Sequence, residues 1–107
     1  MIDRMTLLTS DSFRDFISAN DCLLLVYKKL CPHCKVLMAV IEKILPGHPG
    51  LRVAGIDSEE QPGALQALDV SKVPTVLVFK GGDVSARRSG VMNPAELAAL
   101  IARPKAG

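Results

Sequence analysis

Residues 22–27 read Cys-Leu-Leu-Leu-Val-Tyr, a run with no charged or amide side chain, bounded by Asn20-Asp21 and Lys28-Lys29. A strand with one wet face alternates apolar and polar residues. This run does not alternate, so it must be covered on both faces. Within 107 residues, a central sheet with helices packed above and below is the layer architecture that meets this demand in a single domain.

The rest of the chain supplies the layers. Met5–Leu8 suits a short edge strand, and Thr9 or Ser10 suits the cap of a helix running to Ala19, with Phe13, Phe16 and Ile17 at helical spacing. Cys34, Leu37, Met38, Ile41 and Leu45 form one apolar stripe on a helix predicted from Pro32 to Leu45. Pro32 sits in the first turn, where a helix tolerates proline, and Pro46-Gly47 stops the helix. Leu51–Asp57 reads as a second buried strand, Pro62–Leu68 as a short helix and Thr75–Lys80 as a third strand. Gly81-Gly82 then turns the chain into Val84–Ser89, the pattern of a hairpin. Asn93-Pro94 opens a last helix over Ala95–Ala102, and Pro104–Gly107 reads as a terminal turn. The order is β-α-β-α-β-α-β-β-α. The alternating half allows parallel strands through right-handed crossovers, and the final hairpin adds antiparallel ones. The expectation is an α/β fold with a mixed central sheet flanked by helices on both faces, spanning residues 1–107 as one domain.

Composition narrows the function. Apolar residues make up 49% and charged residues 22%, a globular balance. A formal charge of +2 with no Trp and four aromatic residues gives no footprint for nucleic acid. No apolar run approaches the ~20 residues that span a bilayer, so no membrane association is expected. Met1–Met5 is not followed by a long apolar segment of the secretory type, which predicts a cytoplasmic protein.

Three cysteines are too few and too odd in number for a stapled secreted domain. Cys31 and Cys34 have the C-x-x-C spacing and fall where the buried strand hands over to the long helix. Unpaired amide N–H groups and the helix dipole favour a thiolate there, and the thiolate is the nucleophile of disulfide exchange. Cys34 belongs to the buried stripe and Cys31 precedes it. Cys31 is therefore the expected outward attacker and Cys34 the resolver. His33 between them, with Lys28, Lys29 and Lys35 nearby, would hold the thiolate further. Known C-x-x-C couples span about 150 mV, roughly 7 kcal/mol. One pKa unit is about 1.4 kcal/mol, so His33 alone cannot account for such a range.

Other uses of the pair are weaker. A structural zinc needs four ligands, and beyond the pair and His33 only Cys22 and His48 remain, in different elements. No metal is expected. A permanent disulfide between positions so close closes almost no loop and gains little. Cys22 is read as a small buried hydrophobe and His48 as a solvated turn residue. Tyr27 is expected to pack under the site.

These residues together resemble the thioredoxin family over nearly the whole chain. The resemblance rests on Cys31-Pro32-His33-Cys34 after a buried strand, Asp57 ending the next strand, Val73-Pro74-Thr75 before another, Phe79-Lys80-Gly81-Gly82, and Gly90 after the last strand. It implies the thioredoxin fold, a cis Val73-Pro74 peptide, and a groove in which the Val73 backbone pairs with an extended substrate. Cys31, Pro32, His33 and Cys34 would be the catalytic set, and Leu30, Val73, Pro74 and Gly90 the substrate surface. The resemblance also implies a monomer with no cofactor beyond a Cys31–Cys34 disulfide. Its partners would be disulfide-containing proteins and a thioredoxin-reductase-type electron donor. Lys28, Lys29 and Lys72 could form a basic rim for acidic partners or simply keep the loops soluble.

The sequence departs from the family pattern in several places. Leu30 stands where Trp is usual, Ala39 where a helix-kinking proline is usual, and Pro32-His33 where Gly-Pro is usual. Pro-His is the dipeptide of strongly oxidising DsbA-type proteins, but too few residues lie between Cys34 and Val73 for their inserted domain. Leu25 and Val53 occupy the positions of a buried aspartate and its facing lysine. Losing both leaves no unpaired core charge. It also leaves Cys34 dry, with no evident general base and a thiol pKa raised by burial. The resulting expectation is a thiol–disulfide oxidoreductase that reduces protein disulfides. A more oxidising oxidase or isomerase and a non-catalytic binding module are the alternatives.

Overall fold

The computed structural model describes residues 5–104. The reading of Met1–Met5 and the turn expected at Pro104–Gly107 therefore fall largely outside the described residues. Five strands form one sheet: β1 (Met5–Leu7), β2 (Cys22–Tyr27), β3 (Arg52–Asp57), β4 (Thr75–Lys80) and β5 (Asp83–Ser89). Four helices connect them: α1 (Phe13–Ala19), α2 (Pro32–Ile44), α3 (Pro62–Leu68) and α4 (Pro94–Ala102). The strand order is β1-β3-β2-β4-β5, with β1, β3 and β2 parallel and β4 and β5 antiparallel to their neighbours. This is the thioredoxin fold, with the mixed sheet the element order implies.

Strand β2 lies in the middle, and all six of its residues are buried. Successive side chains of a strand point to opposite faces, so β2 divides the interior into two cores. Leu23, Leu25 and Tyr27 face one core, shared with Cys34, Leu37 and Ile41 of α2 and Leu97, Leu100 and Ile101 of α4. Cys22, Leu24 and Val26 face the other, shared with Phe13 and Ile17 of α1 and Ala64 and Leu68 of α3. Two helices thus cover each face.

The close packing is visible at Gly55 of β3. A Cβ there would lie 2.8 Å from Met5 Sδ and 3.1 Å from Tyr27 Cε1. Gly81 and Gly82 have φ of 61° and 84°, the two positive values that a tight two-residue hairpin between β4 and β5 requires. Asn93 caps α4 through a reciprocal pair. Its side chain accepts from the Glu96 N–H at 2.8 Å, and the Glu96 carboxylate accepts from the Asn93 N–H at 3.0 Å.

Two expectations need correcting. Helix α1 starts at Phe13, not after Thr9 or Ser10. Thr9 instead holds a turn, its hydroxyl oxygen accepting from the N–H groups of Asp11 and Ser12. Ser10 caps a different helix: its hydroxyl accepts from the Ala64 N–H of α3 at 3.1 Å, and its own N–H donates to Gln61 Oε1 at 2.8 Å. Helix α2 ends at Ile44, and Leu45–Gly47 tightens into a 3-10 turn, because Pro46 offers no N–H to continue the α-helical ladder.

The cores and caps set a stability order. Leu37→Ala should cost about 2–5 kcal/mol through the cavity it leaves, whereas Asn93→Ala should cost about 1 kcal/mol. Urea denaturation of the two variants checks this order.

Candidate active site

The backbone leaves β2 at Tyr27, passes Lys28–Leu30 and enters α2 at Pro32, so Cys31 is the N-cap residue with extended φ and ψ of −138° and 106°. At that position a side-chain acceptor can reach back to an unpaired amide of the first turn. The Cys31 sulfur does so, accepting from the Cys34 N–H at 3.2 Å. This contact tucks Cys31 in. It is only 6% exposed, which corrects the expectation of an outward-facing residue. Cys34 is deeper, in the core with Leu25 and Val53.

The two thiols are driven apart in acidity. Burial pushes Cys31 up, but this is outweighed by hydrogen bonds from the Cys34 thiol and backbone N–H, the Lys28 charge and the His33 backbone, so its pKa falls below the usual thiol value. Cys34 is pushed up to about 11 by burial, by its hydrogen bond to Cys31 and by the Cys31 charge, against the Lys28 backbone and charge. Ionisation therefore favours Cys31 over Cys34. Leu25 and Val53 are fully buried and apolar, so the sheet beneath Cys34 contributes no charge at those positions.

The His33 backbone bears on Cys31. His33, exposed, also lines a groove of about 470 Å³ with Lys72, Val73, Pro74, Ser89 and Gly90. The Val73–Pro74 peptide is cis. Gly90, with φ of 90°, donates its N–H to the Pro74 carbonyl at 2.9 Å. Val73 is half-buried against the core that holds both cysteines. Leu30 is 89% exposed and lines neither this groove nor a second cavity beside Cys34. Pro32 is exposed at the first helical position.

Lys29 leaves the proposed basic rim. Its ammonium is 2.6 Å from Glu60 and 4.0 Å from Asp57. Asp57 is buried and holds the turn after β3, its Oδ1 accepting from the Glu59 and Glu60 N–H groups. Ser89 escaped sequence reasoning. It joins the groove because the β4–β5 register sets it opposite Thr75, and the two hydroxyl oxygens are 2.8 Å apart. Cys22 lies on the opposite face of β2, its thiol pushed up to about 11 by burial and by Asp21. Among the described residues no group of three or more His, Cys, Asp or Glu is placed to hold a metal ion, and no helix is long and apolar enough to cross a membrane.

Comparison with known proteins agrees with this geometry. The thioredoxin family model matches residues 4–103. A thioredoxin from Acidithiobacillus ferridurans is 28% identical over 104 residues, covering 94% of this chain and 96% of its own. The structure of mitochondrial thioredoxin 3 from Saccharomyces cerevisiae, in its oxidised form, superposes with a TM-score of 0.82 at 28% identity, over 91% of this chain and 92% of its own. Desulfothioredoxin from Desulfovibrio vulgaris Hildenborough, in its reduced form, does so with a TM-score of 0.82 at 32% identity, over 95% and 98%.

The divided acidities predict a divided reactivity. Iodoacetamide should alkylate Cys31 at neutral pH faster than a free thiol, because its thiolate forms at lower pH than that of an ordinary thiol. Cys34 alkylation should rise only toward pH 11. Peptide-resolved mass spectrometry across a pH series reads both curves.

Proposed function

The chain belongs to the thioredoxin family, and on that premise we propose that it reduces protein disulfides through a Cys31–Cys34 dithiol–disulfide couple. The observation that carries this reading is the Cys31 sulfur at the helix N-cap, hydrogen-bonded to the Cys34 N–H and held low in pKa. Thiol–disulfide oxidoreductase chemistry is the activity of the family. The direction of net electron flow and the partners belong to the proposal.

An extended substrate segment lies in the Pro74 groove, its backbone paired with Val73 as an added strand. The Cys31 thiolate attacks one sulfur of the substrate disulfide, forming a mixed disulfide and expelling the other substrate sulfur as a thiolate. That step changes Cys34. The negative charge on Cys31 and its acceptance of the Cys34 proton both disappear, and these are two of the causes that hold Cys34 high. Burial remains, but the Lys28 charge and backbone N–H now act with less opposition. Attack thereby activates the resolver. Cys34 gives up its proton to the departing thiolate or to water and attacks Cys31, and its Sγ forms the intramolecular disulfide as the reduced substrate leaves. This offers a route to resolution without the buried carboxylate that Leu25 replaces.

A thioredoxin-reductase-type donor would return the couple to the dithiol. The partners are disulfide-bearing proteins met by a monomer in a reducing compartment such as the cytoplasm, where such couples are kept reduced. The lowered Cys31 pKa favours a second reading, because stabilising the thiolate makes the disulfide a stronger oxidant. A reduction potential near −270 mV supports the reductase, whereas one near −120 mV assigns the chain to oxidation.

Reduction of insulin disulfides tests the proposal. Wild type should be active, Cys31→Ser should lose activity, and Cys34→Ser should accumulate mixed disulfides on Cys31. A Cys31→Ser variant as active as wild type would defeat the reading. An inactive wild type that still bound peptides would leave a binding module.

A further inference from the structure

Two consecutive residues at the end of β5, Ser89 and Gly90, tie down the loop that carries Val73. Gly90 donates its N–H to the Pro74 carbonyl at 2.9 Å. On the other side of Val73, the Thr75 hydroxyl donates to the Lys72 carbonyl at 2.6 Å, and the Thr75 and Ser89 hydroxyl oxygens are 2.8 Å apart. A threonine hydroxyl has one proton to give, and a carbonyl has none. That proton belongs to the Lys72 bond, so Ser89 must be the donor to Thr75. The relay runs one way, from Ser89 through Thr75 to Lys72. Between these two ties lies an open stretch of backbone. Among the described residues, neither the N–H nor the C=O of Val73 makes a hydrogen bond within the chain.

We propose that Ser89 is a positioning residue for substrate. With Gly90 it clamps the loop on either side of Val73 and presents the open Val73 backbone groups for strand pairing. This rests on reading the Pro74 groove as the substrate groove.

An added strand needs the Val73 N–H and C=O held in a fixed direction. A slack loop would lose its conformational freedom at the moment of binding, and that loss subtracts from affinity. The clamp fixes the loop beforehand. Hydrogen bonds in a chain polarise one another, so the Ser89 proton also strengthens the hold of Thr75 on Lys72. Thr75 is buried and Ser89 is exposed. The outer member of the relay can therefore be changed with little disturbance to the core.

Single-turnover reduction of insulin by the reduced protein, followed over a range of insulin concentrations, tests the clamp. Ser89→Ala should raise the half-saturating concentration about fivefold, the net worth of one hydrogen bond, with little change in the limiting rate. Ser89→Thr keeps a hydroxyl and should restore wild-type saturation. A double-mutant cycle with Thr75→Val separates the relay from direct contact between Ser89 and substrate. In Thr75→Val the relay is already cut, so adding Ser89→Ala should cost nothing more. If Thr75→Val does not fold, rescue by Ser89→Thr carries the decision. The loss from Ser89→Ala should also appear in the dissociation constant of S-methylated insulin B chain for Cys31→Ser, which involves no turnover. Unchanged half-saturation in Ser89→Ala, failure of Ser89→Thr to rescue, or an equal loss with and without Thr75→Val overturns the clamp, while wild-type insulin reduction upholds the redox reading. A wild type that reduces no insulin defeats that earlier reading instead, and the B-chain affinities then decide the clamp.

Discussion

Strand β2 governs this molecule because no residue in it can meet water. Its odd-numbered side chains require α2 and α4, and its even-numbered ones require α1 and α3. The alternation of a single strand thereby assigns every helix to a face. It also fixes where the chemistry falls. The strand ends at Tyr27, on the same face as Cys34 and Leu37. The chain that leaves it must turn back over that face as a helix, and the start of that helix is where Cys31 lies.

The acidity of Cys31 follows from this junction more than from any charged neighbour on the sheet. The Cys34 N–H is one of the amides that an α-helix leaves unpaired in its first turn, and the Cys31 sulfur takes it. Core charges are absent at Leu25 and Val53, so the thiol pair and Lys28 form a nearly self-contained electrostatic unit. Each thiol sets the other: the hydrogen bond from the Cys34 thiol favours ionisation of Cys31, and charge on Cys31 disfavours ionisation of Cys34. A covalent bond at Cys31 therefore alters Cys34 directly, without an intermediary base.

Much of this was legible along the chain. The boundaries of β2, α3 and β4 follow from uninterrupted apolar runs and from Pro62, and the Asn93 cap of α4 from its local spelling. The C-x-x-C pair declared itself through spacing and position. The failures share one cause. Thr9 and Ser10 look like a helix cap, but the hydroxyl of Ser10 is claimed by Ala64 of α3, far along the chain. Ser89 has no local signal and enters the groove only through the β4–β5 register.

What the amino-acid order determined by itself is the set of properties that depend on near neighbours: which segments are strands or helices, and which cysteine precedes the helix. Hydrophobic period, proline and glycine chemistry and N-cap preference act within a few residues, so they can be read in one dimension. Only the tertiary structure decided how deep each sulfur lies, which lysine bears on Cys31, which residues line the Pro74 groove and that a cavity opens beside Cys34. Those properties depend on distances between segments remote in sequence. Burial and Coulomb interaction act through space, and packing the two cores against β2 sets those distances.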